Sequence, residues 1–219
     1  MSDPLSRLLV ARRAFFAKLG AGVAAVGATA GFAAPVGAQG TGAFKAAGHP
    51  QDDWMDQVPG RHRFVFDTTT PDAADTVRRY ADNFFNANKS GYGLDPRDLA
   101  VVIILRHHST AFAYNDAIWA KYGGAISAEL KFTDPKTNQA PTTNIYSPAS
   151  LIQRGVHLAV CDMATRFIAG LIARSARAST DDVYKELAAN LLGNAHLVPA
   201  GIVAVNRAQE HGYTFAFIG

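Results

Sequence analysis

Cysteine is nearly absent from this chain. Its one example, Cys161, excludes an intramolecular disulfide. Three roles remain for that thiol: buried apolar filler, intermolecular link or reactive group. Surplus charge is missing too. The formal charge of +3 arises at the N-terminus, where residues 1–38 hold Arg7, Arg12, Arg13 and Lys18 against Asp3 alone. That leaves 17 of the 21 bases and 17 of the 18 acids for the rest of the chain. So even a balance lacks the clustered basic face that a nucleic-acid partner requires, and none is expected. No GxGxxG follows the first strand pattern, and no Walker sequence, HExxH or serine-centred elbow is found. Dinucleotide, P-loop, zincin and α/β-hydrolase sites therefore have no motif here. No internal repeat is visible.

A strongly apolar run of membrane-spanning length is also lacking. The stretch Leu19 to Val36 is diluted by Ala and Gly, which counts against an anchor. Its flanks read as an address. Arg12-Arg13-Ala14-Phe15-Phe16-Ala17-Lys18 precedes it, and the small-residue pattern Val36-Gly37-Ala38 ends it. A basic region, an apolar region and a small-x-small site make a secretory signal, and the paired arginines specify the twin-arginine type. The expectation is a signal over residues 1–38 ending at Ala38, a periplasmic location, and the Tat translocase as partner during export. That route exports folded proteins, so Cys161 would be buried or loaded before export. Residues 39–60 read as a flexible lead-in that packs only around Trp54-Met55.

From residue 61 to 219 strand and helix signals alternate. Arg61–Phe66 is a strand pattern, closed by the polar run Asp67 to Asp72. Pro71-Asp72 starts a helix that sets Val77, Tyr80, Ala81, Phe84 and Phe85 on one face. Leu99 to Leu105 is a continuous apolar run, the mark of a strand covered on both faces. A helix is expected over about Ala111–Lys121, then a long insertion at about 123–147 with little periodicity, either functional or decorative. A short helix at Ser150–Arg154 precedes a second buried strand, Gly155–Cys161. Helices follow over Met163–Arg174 and Thr180–Leu192, then a strand at Ala195–Val198, a helix at Pro199–His211 and a last strand at Tyr213–Ile218. The sum is an α/β domain, a three-layer α/β/α sandwich with about five mostly parallel strands.

Chemistry-bearing residues gather where these strands end, the edge that holds the ligand crevice in open α/β sheets. Cys161 ends a strand and opens the next helix. Free N–H groups and a partial positive charge there favour a thiolate, the nucleophilic form, while the adjacent Asp162 opposes a second negative charge. The alternative is a buried structural cysteine. His107 and His108 follow the strand Leu99–Leu105 and reach the same edge as acid/base or binding groups, or else as a solvated capping pair. Adjacent residues on an extended chain point opposite ways, so one of the two, by preference His108, is expected to face the crevice. Thr68 and Thr69 follow the first strand, where hydroxyls and helix amides suit an anion such as a thiosulfonate; N-capping is the plainer role. Tyr114 and Asn115 stand where the same crevice is within reach. Arg166, five residues past Cys161, is placed either to pair an anionic sulfur group or to sit in solvent. A metal site needs three or four ligands; Cys161, a histidine and Asp67 supply some, but no pair has helical i, i+4 spacing. Neither a metal nor another cofactor is expected.

Three segments carry a family resemblance: Gly155-Val156-x-Leu158-Ala159-Val160-Cys161, then Leu197-Val198-Pro199-Ala200-Gly201-Ile202-Val203, then Ala208-Gln209-x-x-Gly212-Tyr213-x-Phe215. The chain resembles the DsrE/DsrF-like sulfur-relay family over about residues 62–219, leaving out the insertion. After the cysteine it reads Asp162-Met163-Ala164 where the family often has x-Asn-Thr. The resemblance implies a three-layer α/β/α fold and aligns Cys161 with the cysteine that carries sulfur as a persulfide in active members. It implies an exported sulfur carrier or transferase, with Cys161 as acceptor, a nearby histidine assisting, and a small sulfur compound or a thiol protein as partner. Family members commonly assemble, so a homo-oligomer is a further expectation. The competing expectation is a non-catalytic binding or assembly module in which Cys161 is structural.

Overall fold

Leu99 to Leu105 is buried at every position in the computed structural model, which describes residues 45–219. The reason is its place in the sheet. Five parallel strands lie in the order β4-β3-β2-β1-β5, and this strand, β2, is the middle one. The others are β1 (His62–Thr68), β3 (His157–Cys161), β4 (Ala195–Val198) and β5 (Thr214–Ile218). The chain steps outward from β1 to β4, then crosses back to place β5 on the far side of β1. The expected signal residues Arg12, Arg13 and Ala38 lie outside the described residues. Among those described, no helix is long and apolar enough to cross a membrane.

Alternation along β2 divides the core. Val101, Ile103 and Leu105, with Leu158 and Val160 of β3, pack against a long helix over Pro71–Tyr92. Ala100, Val102 and Ile104, with Ala159 and Val198, pack against the helix Gly201–Glu210. In chain order the helices are α1 (Trp54–Gln57), α2 (Pro71–Tyr92), α3 (Asp116–Leu130), α4 (Ala149–Ile152), α5 (Asp162–Ala176), α6 (Thr180–Ala189) and α7 (Gly201–Glu210). A third apolar cluster lies among α3, α5, α6 and a 3-10 segment at His107–Ala113. Helices cover both faces of the sheet, giving the expected three layers.

Local differences from the sequence reading have identifiable causes. Strand β1 runs two residues beyond Phe66 because Asp67 and Thr68 find partners inside the protein (below), so their burial is tolerated. Helix α2 begins at Pro71, capped by Thr70, whose hydroxyl accepts from the Ala73 amide at 3.1 Å. Its buried stripe is Val77, Ala81 and Phe85, while Tyr80 stands outside it, 51% exposed. No α-helix forms over residues 111–115, because Asn115 caps a new helix by accepting from the Ala117 and Ile118 amides. That helix, α3, continues to Leu130, so the first third of the supposed insertion is helical. Gly123 does not break it. A side chain there would overlap the Pro141 carbonyl, so the glycine is what lets residues 131–147 fold back over α3. The segment before β1 packs more than Trp54-Met55 implies: Met55 and Val58 join the core beneath α7, and the Tyr213 hydroxyl donates to the Met55 carbonyl at 2.7 Å.

Candidate functional site

The carboxyl edge of the sheet is built on a partly buried ion pair. Asp67, next to last in β1, is 1% exposed. Arg106 follows β2 and meets it with two parallel hydrogen bonds, Nε to Oδ1 at 2.7 Å and Nη2 to Oδ2 at 2.8 Å. This forked pairing fixes the guanidinium. Thr68 and Ser109 tie the two strand ends together. The Thr68 hydroxyl lies 2.8 Å from the Ile104 carbonyl and 2.9 Å from Ser109 Oγ, and Ser109 Oγ accepts from the Arg106 amide at 3.0 Å. Opposite, α7 approaches so closely that any side chain at Gly201 would overlap Arg106.

Cys161 ends β3 and is the N-cap of α5. Among the described residues its sulfur has one hydrogen bond, accepted from the Ala164 amide at 3.4 Å. The sulfur thus takes the place that an oxygen of Ser or Asp holds in most caps. The residue is 7% exposed, and that remainder lines a cavity of about 350 Å³. Arg106, His107, His108 and Glu129 stand around the same cavity, with apolar side chains from α5 and α7. The expected electrostatic conflict with Asp162 is relieved. Its carboxylate accepts from Arg166 Nε at 2.7 Å and from the Tyr184 hydroxyl at 2.6 Å, and it does not line the cavity.

Both histidines line the cavity, where one was expected. The chain is not extended there. His107 has φ +56°, and this left-handed residue turns the backbone into the 3-10 segment. The two rings stack, with centroids 4.1 Å apart and planes 11° from parallel. His108 is pushed below the ordinary imidazole range chiefly by burial, then by the neighbouring His107; Glu129 pulls the other way.

The remaining expected residues are placed elsewhere. Thr68 is fully buried with its hydroxyl engaged, and Thr69 does not line the cavity; its carbonyl accepts from the Ser109 amide at 3.1 Å. Tyr114 is fully buried, its hydroxyl 3.2 Å from Thr165 Oγ1, and burial pushes its pKa up. Asn115 is committed to capping α3 and to Asn190, which accepts from its amide at 3.0 Å. Arg166 points to solvent on Asp162 with its guanidinium 4.0 Å from the Tyr184 ring centroid. Strand-end hydrogen bonds, core packing, helix capping and a surface ion pair engage these five residues, and none of them lines the cavity.

Sequence reasoning missed Arg106, Glu129 and the apolar walls. Arg106 was visible as the base immediately before His107-His108. Its anchoring depended on Asp67, which is distant in sequence but lies on the neighbouring strand. Among the described residues no group of three or more His, Cys, Asp or Glu side chains is arranged to hold a metal ion. A second cluster also went unseen: Trp54, His157 and His196 stack at the amino ends of β3 and β4, with His157 Nδ1 2.9 Å from His196 Nε2.

No family model matches the chain, and no curated protein matches it. Among solved structures the chain is similar to a protein of unknown function from Methanobacterium thermoautotrophicum, with a TM-score of 0.38 and 14% identity over 72% of this chain and 99% of that one.

Proposed function

We propose that this chain is a DsrE/DsrF-like carrier or transferase of sulfur, exported by the twin-arginine route, that holds sulfane sulfur as a persulfide on Cys161. One observation carries the reading: the lone cysteine lines a cavity at the carboxyl edge while its sulfur accepts a backbone amide. That amide suits a sulfur that is negatively charged during transfer. His108, held toward its neutral form by burial, lines the same cavity and is suited to take the thiol proton. In the transfer, the Cys161 thiolate attacks a sulfane sulfur of the donor. A new S–S bond forms on Cys161, the donor's S–S bond breaks, and the leaving sulfur keeps the electron pair. No external oxidant is consumed. Arg106 and Asp67 keep the cavity wall in place. A thiol of a partner protein then removes the terminal sulfur by the same substitution.

The test is the intact mass of the native protein, without residues 1–38, after exposure to inorganic polysulfide. Whole sulfur atoms gained, removed by reductant and absent in Cys161→Ala, support the reading. A native thiol that stays unmodified and reacts only on unfolding overturns it and leaves the binding or assembly module, with a structural Cys161, as the function.

A further inference from the structure

Resting on the persulfide reading, we infer that the cavity beside Cys161 serves an uncharged, apolar sulfane donor, an organic trisulfide or longer polysulfane, in preference to an anionic donor such as thiosulfate. Met163, Ala164, Phe167, Ile168, Ala200 and Ile202 line the cavity, and the lining contains no Ser, Thr, Asn, Gln or Tyr. Three of these side chains remain in water: Met163 is 67% exposed, Phe167 54% and Ile202 60%. A ligand with an apolar body would cover them, and the volume of about 350 Å³ falls in the range of small-molecule sites.

The charged groups point the same way. The Arg106 guanidinium has its charge balanced by buried Asp67, on which it spends two of its five N–H donors. Burial holds His108 toward its neutral form. Glu129 places a carboxylate on the same wall. A thiosulfate dianion entering here would give up water without gaining hydroxyl or amide side-chain partners, and would meet Glu129 as well. An apolar donor gains from leaving water instead: covering about 100 Å² of apolar surface favours it by about 50-fold.

The chemistry balances without a further reactant. The Cys161 thiol gives its proton to an imidazole or to water, and the thiolate attacks the central sulfur of R–S–S–S–R. One S–S bond of the donor breaks, and R–S⁻ leaves with the electron pair. That thiolate then attacks the R-bearing sulfur of the mixed trisulfide. R–S–S–R forms, and Cys161 keeps one extra sulfur as its persulfide.

The experiment compares the rates at which Cys161 gains sulfur from dibenzyl trisulfide and from thiosulfate, each divided by that donor's rate with free cysteine. The expected ratio favours the trisulfide by about 50-fold. Ile202→Asn and Phe167→Gln change exposed side chains and leave the core intact; together they are expected to lower the ratio about 10-fold, by slowing the trisulfide and by giving thiosulfate amide partners that the wild-type wall lacks. A ratio near one, or a preference indifferent to both substitutions, overturns the inference and leaves the persulfide reading standing. If neither donor loads the native protein, the persulfide reading falls separately. Saturable binding of dibenzyl trisulfide to Cys161→Ala, weakened by Ile202→Asn, then still supports the apolar ligand, and its absence overturns that as well.

Discussion

Two stacked pairs of imidazoles mark opposite ends of this sheet, and they differ in nearly everything except chemistry. His107 and His108 are neighbours in sequence, sit at the carboxyl edge, and open onto a cavity beside a thiol. His157 and His196 come from β3 and β4, meet at the amino edge, and are covered by Trp54, whose ring lies 3.9 Å from that of His196 and 6° from parallel. Burial, reinforced by the charge of His157, holds His196 down at about 4. The first pair is available to a ligand, while the second is part of the packing of the segment before β1. Identical residue types thus take opposite roles according to what covers them.

Four changes test this contrast, ordered by expected size. At the carboxyl edge, stability is assigned to the Asp67–Arg106 pair rather than to the imidazoles. Arg106→Ala leaves a buried carboxylate uncompensated and is expected to destabilise by about 3–5 kcal/mol, read from the urea midpoint. A loss below about 1 kcal/mol would show that Asp67 is not held by this pair. At the amino edge, Trp54→Ala removes the cover and should cost about 2 kcal/mol by the same measurement, less than a fully buried Trp because Trp54 is partly exposed.

Acid should act through the amino edge. The folded pKa of His196, about 4, lies below the ordinary imidazole value of 6.5, so the unfolded chain binds the proton first as pH falls. The contribution is fully present above pH 6.5, shrinks between 6.5 and about 4, and levels off below that. His157 is shifted in the same direction by burial. For this partly exposed site the loss is roughly 1–2 kcal/mol after allowing for solvent screening. Unfolding curves for the wild type and His196→Gln across that window should converge as pH drops. Parallel curves would remove the pair's role. The smallest effect is expected from His108→Gln, within about 0.5 kcal/mol in stability. That variant should instead slow sulfur loading of Cys161, and a large loss of stability with unchanged loading would reverse the two roles.

Much of the frame was legible from residues alone. The continuous apolar run Leu99–Leu105 announced the central strand because both its faces are covered. Pro71-Asp72 marked a helix start because proline needs no N–H partner there. The carboxyl-edge position of Cys161 followed from strand–helix order. The extent of α3 was hidden, because Gly123 and Gly124 read as a break while the packing that uses Gly123 involves Pro141. Both histidines reached the cavity through one left-handed residue, His107, which no pattern announces for a non-glycine.

What the sequence determined by itself is local and periodic: the alternation of strand and helix, the caps, the lone thiol and the edge where it stands. Tertiary structure alone decided which polar groups are engaged and which face open space. Asp67 meets Arg106, Asp162 meets Arg166 and Tyr184, and His157 meets His196. Apart from the one-turn pairing of Asp162 with Arg166, these contacts join residues 22 to 39 positions apart. Such pairs form only when strands lie in register and helices pack across them, because a charge or imidazole is set by its neighbours in space and not along the chain.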